Sequence, residues 1–181
     1  MQRALDAMPY HLARTAWSPR RILAERTAHC LEGAIFAAAS LRALGFPPLL
    51  LDLEAVQDTD HVVAVFRIDG RWGAIAKSNF AGLRYREPVY RDLRELAMSY
   101  FDAYMNLRGE RTLRAYSAPV DLSRFDRRHA GWMTTPAELW WVAEHLAVIP
   151  HRSLLTPRMT RRLSTVDRRS RSAALVGHRK H

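Results

Sequence analysis

Between residues 31 and 44 apolar side chains recur at steps of three and four: Leu31, Ala34, Ile35, Ala38, Leu41 and Leu44. That spacing lines one side of an α-helix, and Gly45 with Pro47 and Pro48 supplies a stop. The predicted helix begins near Cys30. Upstream, Ser18 followed by Pro19 has the form of an N-cap with proline at the first helical position, which predicts a short helix over 19–26. After the two prolines, "PLLLDLEA" is an apolar run of strand length. "HVVAVFRIDGRWGAIAKS" reads as two strands, 61–68 and 71–78, joined by Asp69–Gly70, a two-residue hairpin signal. "RDLRELAMSYFDAYMN" predicts a second long helix with Leu93, Leu96, Ala97 and Tyr100 on one side. The capping-box pattern Thr135-Pro136-Ala137-Glu138 opens a last helix carrying Leu139, Val142 and Leu146. No internal repeat is present. A helix followed by an antiparallel sheet, with further helices around it, is an α+β pattern.

Composition refines this picture at three points. The 181 residues suit one domain, and 48% apolar against 25% charged residues is the balance of a globular protein, not a disordered or fibrous one. No window approaches an 18-residue apolar span and the start lacks the apolar core of a signal peptide, so a cytoplasmic location is expected. The net charge of +10 is unevenly placed: residues 152–181 hold nine Arg or Lys against one Asp, leaving nineteen against seventeen in 1–151. The domain is therefore assigned to 1–151. The segment 152–181, rich in Arg and Ser and without aromatic residues, reads as a flexible basic extension. It suits weak electrostatic contact with nucleic acid or an anionic membrane, without stacking residues for sequence-specific binding.

The chemistry centres on the single cysteine. One cysteine excludes an intrachain disulfide, and the histidines lack metal-ligand spacing, so neither a metal nor a cofactor is expected. A cysteine at a helix N-terminus lies near the positive end of the macrodipole and unpaired backbone N–H groups, which favour thiolate and can hold an oxyanion. A nucleophilic thiol also needs a base, and His61, opening the first hairpin strand, is the best-placed one. With Asp69–Gly70 as turn residues, Ile68 pairs with Arg71 and His61 falls opposite Ser78. Ser78, Ala76 and Ala74 then share the face of His61, and Lys77 points to the other. Ser78 is placed to orient the imidazole, as is Asn79 if a bulge turns it inward. Asp60 belongs to the opposite face. Three further residues are candidates for substrate binding. They are Glu32, whose place in the first turn also suits the helix dipole alone, His29 beside the thiol, and Lys77, one of only two lysines against twenty-six arginines.

Two stretches, "HCLEGAIFAAASLRALGFPP" and "HVVAVFRIDGRWGAI", resemble the transglutaminase-like branch of the papain-like cysteine enzymes: a nucleophile heading a small-residue helix, then a His strand and an Asp-Gly-Arg-Trp hairpin. The resemblance covers residues 26–80. The following "KSNFAGLRYREPVYRDLRELAMSYFDAYMN" is similar to a group of small bacterial proteins of this class. The resemblance implies a papain-like α+β core and an acyl-enzyme mechanism through a Cys-His pair oriented by an acid. Such pairs serve crosslinking, deamidation, peptide hydrolysis or acyl transfer on peptide, protein or small acyl or amide substrates. The family's orienting Asp would fall near Ala76, where no carboxylate stands. A Cys30–His61 dyad, completed by Ser78 or Asn79, is one expectation. A catalytically degenerate domain that binds a peptide or protein partner is the other.

Overall fold

The computed structural model describes residues 1–179, and its helices begin where the caps stand. After α1 (Gln2–Ala7), Ser18 and Pro19 open α2 (Pro19–Glu25), and His29 caps α3 (Cys30–Ala43). Gly45, at φ +86°, takes the left-handed conformation that glycine adopts without strain just past the end of α3. Strand β1 (Leu49–Ala55) pairs antiparallel with β2 (His61–Ile68), which turns into β3 (Arg71–Ile75). Asp69 and Gly70 both have positive φ, 48° and 76°, as a two-residue turn matched to strand twist requires. Ile68 faces Arg71, the register read from the sequence.

Four more strands, β4 (Arg86–Tyr90), β5 (Leu113–Ser117), β6 (Val120–Asp121) and β7 (His151–Ser153), complete a seven-stranded antiparallel sheet of order β4-β3-β2-β1-β5-β7. The short β6 pairs with β1. The chain is thus α+β, with a core on each face of the sheet. Ile35, Ala38 and Leu41 of α3 pack on Leu50, Ala64 and Phe66. On the opposite face Leu51, Leu53, Val63 and Val65 meet Leu96, Tyr100 and Tyr104, from α4 (Leu93–Met98) and the chain after it.

Several expected boundaries shift, each for a tertiary reason. The strand expected over 71–78 stops at Ile75, because the backbone N–H and C=O of Ala76 are taken by the Gln2 side chain (3.2 and 3.0 Å). The long helix expected over 91–106 ends at Met98. Beyond it Tyr100 donates to the Arg84 carbonyl (2.9 Å) and Tyr104 to that of Thr59 (2.8 Å), which draws both rings onto the sheet. The last helix, α5 (Trp140–Val148), starts after the Thr135 capping pattern, because residues 135–139 are held by Ala16 and Ser18 through Leu139 N–H (2.6 Å) and the Thr135 carbonyl (2.7 Å).

The division at 151/152 falls inside β7, and the segment expected to extend into solvent folds back. Its short helices α6 (Pro157–Thr160) and α7 (Arg168–Ala174) are tied down by Val166 N–H to the Gly109 carbonyl (2.8 Å) and Ala81 N–H to the Ala174 carbonyl (2.9 Å). Among the described residues no helix is long and apolar enough to cross a membrane.

The head of α3 is seated by a close approach. A Cβ on Gly33 would lie 2.3 Å from the Lys77 Cβ and 3.5 Å from its Cα. Gly33→Val is therefore expected to cost about 3 kcal/mol through overpacking, a fall in Tm of roughly 6–12 °C for a domain of this size. Thermal unfolding followed by circular dichroism checks it, and an unchanged Tm would mean that α3 and the 76–78 segment are not held together.

Candidate active site

Cys30 is the first residue of α3, so its N–H is one of the helix's unpaired donors and its half-buried thiol sits at the positive end of the dipole. It lines a cleft of about 970 Å³ with His29, His61 and Tyr10. Burial alone would raise the thiol. Hydrogen bonds from the His29 and His61 side chains, and the charges of both rings, overcome that and bring it down to about 5. The sequence reading paired Cys30 with one imidazole, and the fold brings two.

The two rings are held differently. His61 is buried, and its Nε2 lies 2.9 Å from the carbonyl oxygen of Leu83. A carbonyl only accepts, so Nε2 carries a proton and Nδ1 is the nitrogen left for the thiol. The group that fixes this ring is therefore a backbone carbonyl. The loop bearing Leu83 is fixed from several sides. Arg86 donates to the Gly82 carbonyl (2.8 Å) and Tyr100 to that of Arg84 (2.9 Å), while a Cβ on Gly82 would come within 2.4 Å of the Ala103 Cβ. The His61 ring also stands edge-on to Tyr100 and Tyr104.

His29 donates from Nε2 to the Thr15 carbonyl (2.7 Å) and lies 3.6 Å from Glu32 Oε1. Burial disfavours its charge, but the hydrogen bond to Cys30 and the negative charges of Cys30 and Glu32 prevail and raise its pKa. Glu32 is fully buried. Its Oε1 accepts from Thr15 Oγ1 (2.6 Å) and Trp17 N–H (3.1 Å), and its Oε2 from His29 N–H and His11 Nδ1 (both 3.2 Å). Burial works against this carboxylate, yet His29, Thr15, His11 and the Trp17 N–H together hold it below its ordinary value. Glu32, a candidate above for substrate binding, ties residues 11–17 to the head of α3.

The remaining candidates disperse. Ser78 lines the cleft, but its hydroxyl accepts from Phe80 N–H (3.0 Å). Asn79 bonds the backbone of Arg179. Neither contacts His61 through a hydrogen bond among the described residues. Asp60 accepts from Ala55 N–H (2.8 Å), at the end of β1. Lys77, the third candidate for substrate binding, is buried and donates to the carbonyls of Leu5 (2.6 Å) and Met8 (2.5 Å), closing the end of α1. Desolvation lowers it to about 8, with Arg84 adding to the shift.

No protein-family model matches the chain, and no curated protein matches it. The residues at the thiol therefore carry the functional reading. Two of them left little or no trace in the sequence. Tyr10 reaches Cys30 because residues 9–11 run beside Ala28, with His11 N–H on the Ala28 carbonyl (3.1 Å) and Ala28 N–H on that of Pro9 (3.4 Å). Burial and the neighbouring Cys30 charge raise its pKa far above the usual phenol value, so it stays a protonated donor. Asp52 lines the same cleft and pairs with His151 Nε2 (3.0 Å). His151 Nδ1 donates to the Ile149 carbonyl (2.9 Å), which turns Nε2 towards Asp52. Burial first, then Asp60 and Cys30, raise Asp52 to about 6 against the pull of His151. Its one readable signal is a carboxylate inside the apolar strand "LLLDLEA". Among the described residues no group of three or more His, Cys, Asp or Glu is arranged to hold a metal ion.

Proposed function

We propose that the chain is a cysteine-dependent acyl-transfer enzyme or amide hydrolase with a papain-like, transglutaminase-like core, Cys30 being the nucleophile and His61 the general base and acid. The observation that carries this reading is the meeting of the Cys30 thiol, at the head of a buried helix, with the His61 imidazole in one open cleft.

In the first half-reaction the thiolate attacks a substrate carbonyl and an S–C bond forms. The oxyanion takes hydrogen bonds from the Cys30 N–H and the protonated Tyr10 hydroxyl. The bond to the leaving amine then breaks as imidazolium His61 gives that amine its proton. In the second, water or an acceptor amine loses a proton to His61 and attacks the thioester, which releases the acyl group and restores the thiolate. The Leu83 carbonyl keeps the His61 ring in one orientation through both transfers. His29, paired with Glu32, stabilises the thiolate electrostatically.

Incubation with p-nitrophenyl acetate tests this. A burst of nitrophenol and one acetyl group on Cys30 by mass spectrometry are the expected results, both absent in Cys30→Ser. Equal release by that variant would contradict the reading. The lack, among the described residues, of a side chain that orients His61 favours a second reading, a partner-binding domain that has lost turnover. That reading gains if Cys30 acetylates but does not deacylate.

A further inference from the structure

The end of the described chain lies in the cleft. After α7 the backbone turns at Gly177 (φ +72°), and His178 and Arg179 line the same cavity as Cys30 and His61. The contact is made through main-chain groups. Asn79 Nδ2 donates to the Arg179 carbonyl and Asn79 Oδ1 accepts the Arg179 N–H, both at 2.9 Å. One carboxamide thus satisfies the donor and the acceptor of a single residue, a hundred positions away in sequence. His178 stands edge-on to Phe80, with centroids 5.0 Å apart, and Arg179 reaches the Tyr10 carbonyl at 3.5 Å.

A carboxamide that pairs with both main-chain groups of one residue recognises an extended peptide whatever its side chains, as an added strand would. The Phe80 ring adds a contact for a planar neighbour.

We propose that Asn79 and Phe80 form a peptide-binding subsite of the cleft that takes extended segments through their main chain, and that residues 177–179 of the chain occupy it in the resting protein. The inference deepens the acyl-transfer reading and rests on it for what the bound peptide would undergo. It makes the substrate class polypeptide and the chain's own segment a competitor for it. Binding itself is measurable without turnover.

The test is fluorescence polarisation with a labelled, C-terminally amidated peptide Ala-Leu-Val-Gly-His-Arg, the sequence of residues 174–179. Arg179→Pro removes the N–H that Asn79 accepts and, of the side chains lining the cleft, changes that of Arg179 alone. Because self-occupancy divides apparent affinity by the open fraction, this variant is expected to bind the peptide at least about tenfold more tightly than the wild-type chain. Adding Asn79→Ala to Arg179→Pro should abolish the gain. Adding Cys30→Ser should leave it intact, which separates failure of the subsite from failure of the chemistry. Equal binding by the wild type and Arg179→Pro, no binding by either, or binding indifferent to Asn79 would overturn the proposal. Unchanged thermal unfolding of Asn79→Ala confirms that a loss reports the subsite and not the fold.

Discussion

His61→Ala is expected to lower the turnover of an activated ester by about 10²–10⁴-fold, the range associated with a positioned general acid–base group. His29→Ala is expected to leave turnover much closer to wild type. Both rings depress the Cys30 thiol, so both variants should raise it towards the unperturbed value of about 8.5. Each ring has its Nε2 on a carbonyl, Leu83 for His61 and Thr15 for His29, but only His29 also stands beside a carboxylate, Glu32, which holds its proton in place and keeps it from exchange with substrate. Alkylation should respond differently from turnover. At pH 6 a thiol of pKa about 5 is almost all thiolate, whereas one near 8.5 is on the order of 0.3% ionised. The lower-pKa thiolate is intrinsically less nucleophilic, which returns most of that factor and leaves a net advantage of about tenfold or less. Iodoacetamide rates at pH 6 should therefore fall modestly in both variants, while steady-state ester turnover separates them. Comparable turnover losses in the two would remove the distinction drawn between base and stabilising ion pair.

The largest effect on stability is expected from Glu32→Ala. The substitution leaves Thr15, Trp17 N–H, His11 and His29 without their shared acceptor inside the protein, and breaking a buried pair of this kind costs about 3–5 kcal/mol, or roughly 6–20 °C in Tm. The effect depends on pH with a definite sign. The folded pKa of Glu32 is depressed, so the unfolded chain takes up its proton first as acid is added. The carboxylate's contribution is complete above the unfolded value of about 4.3 and is lost as pH falls through the folded value. The difference in unfolding free energy between wild type and Glu32→Ala should be greatest near neutrality and shrink in acid, read from urea unfolding at a series of pH values. A difference that does not change with pH would mean that shape, and not charge, holds residues 11–17 in place.

What could be read from the sequence was what depends on neighbours along the chain. The periodicity of 31–44 and the Gly45 stop set α3, and Asp69–Gly70 set the β2–β3 register from Ile68–Arg71 to Ala64–Ile75, which puts Ala74 on the face of His61, while the expected pairing of His61 with Ser78 does not form because β3 has ended. Cys30 heads a helix because the apolar period starts after it. The unread part of the site comes from long-range placement. Tyr10 meets Cys30 through a single bridge to Ala28, too short to leave a strand period. Any residue can offer a carbonyl, so nothing in the identity of Leu83 marks it as the group that holds His61. Lys77 was placed by alternation on a strand that had already ended, and its ammonium went to the end of α1. The basic segment looked free of the domain because its charge was visible and its few anchoring contacts, at Val166, Ala174 and Arg179, were not.

The central claim is that the fold activates Cys30, and a pH titration of its thiolate tests that most directly. Because this is the only cysteine, the ultraviolet absorbance of the native protein, with Cys30→Ser subtracted, reports one group. A single transition near pH 5 is the predicted result. A transition at about 8.5 or above, in protein that remains folded, would show a buried structural cysteine and contradict the account.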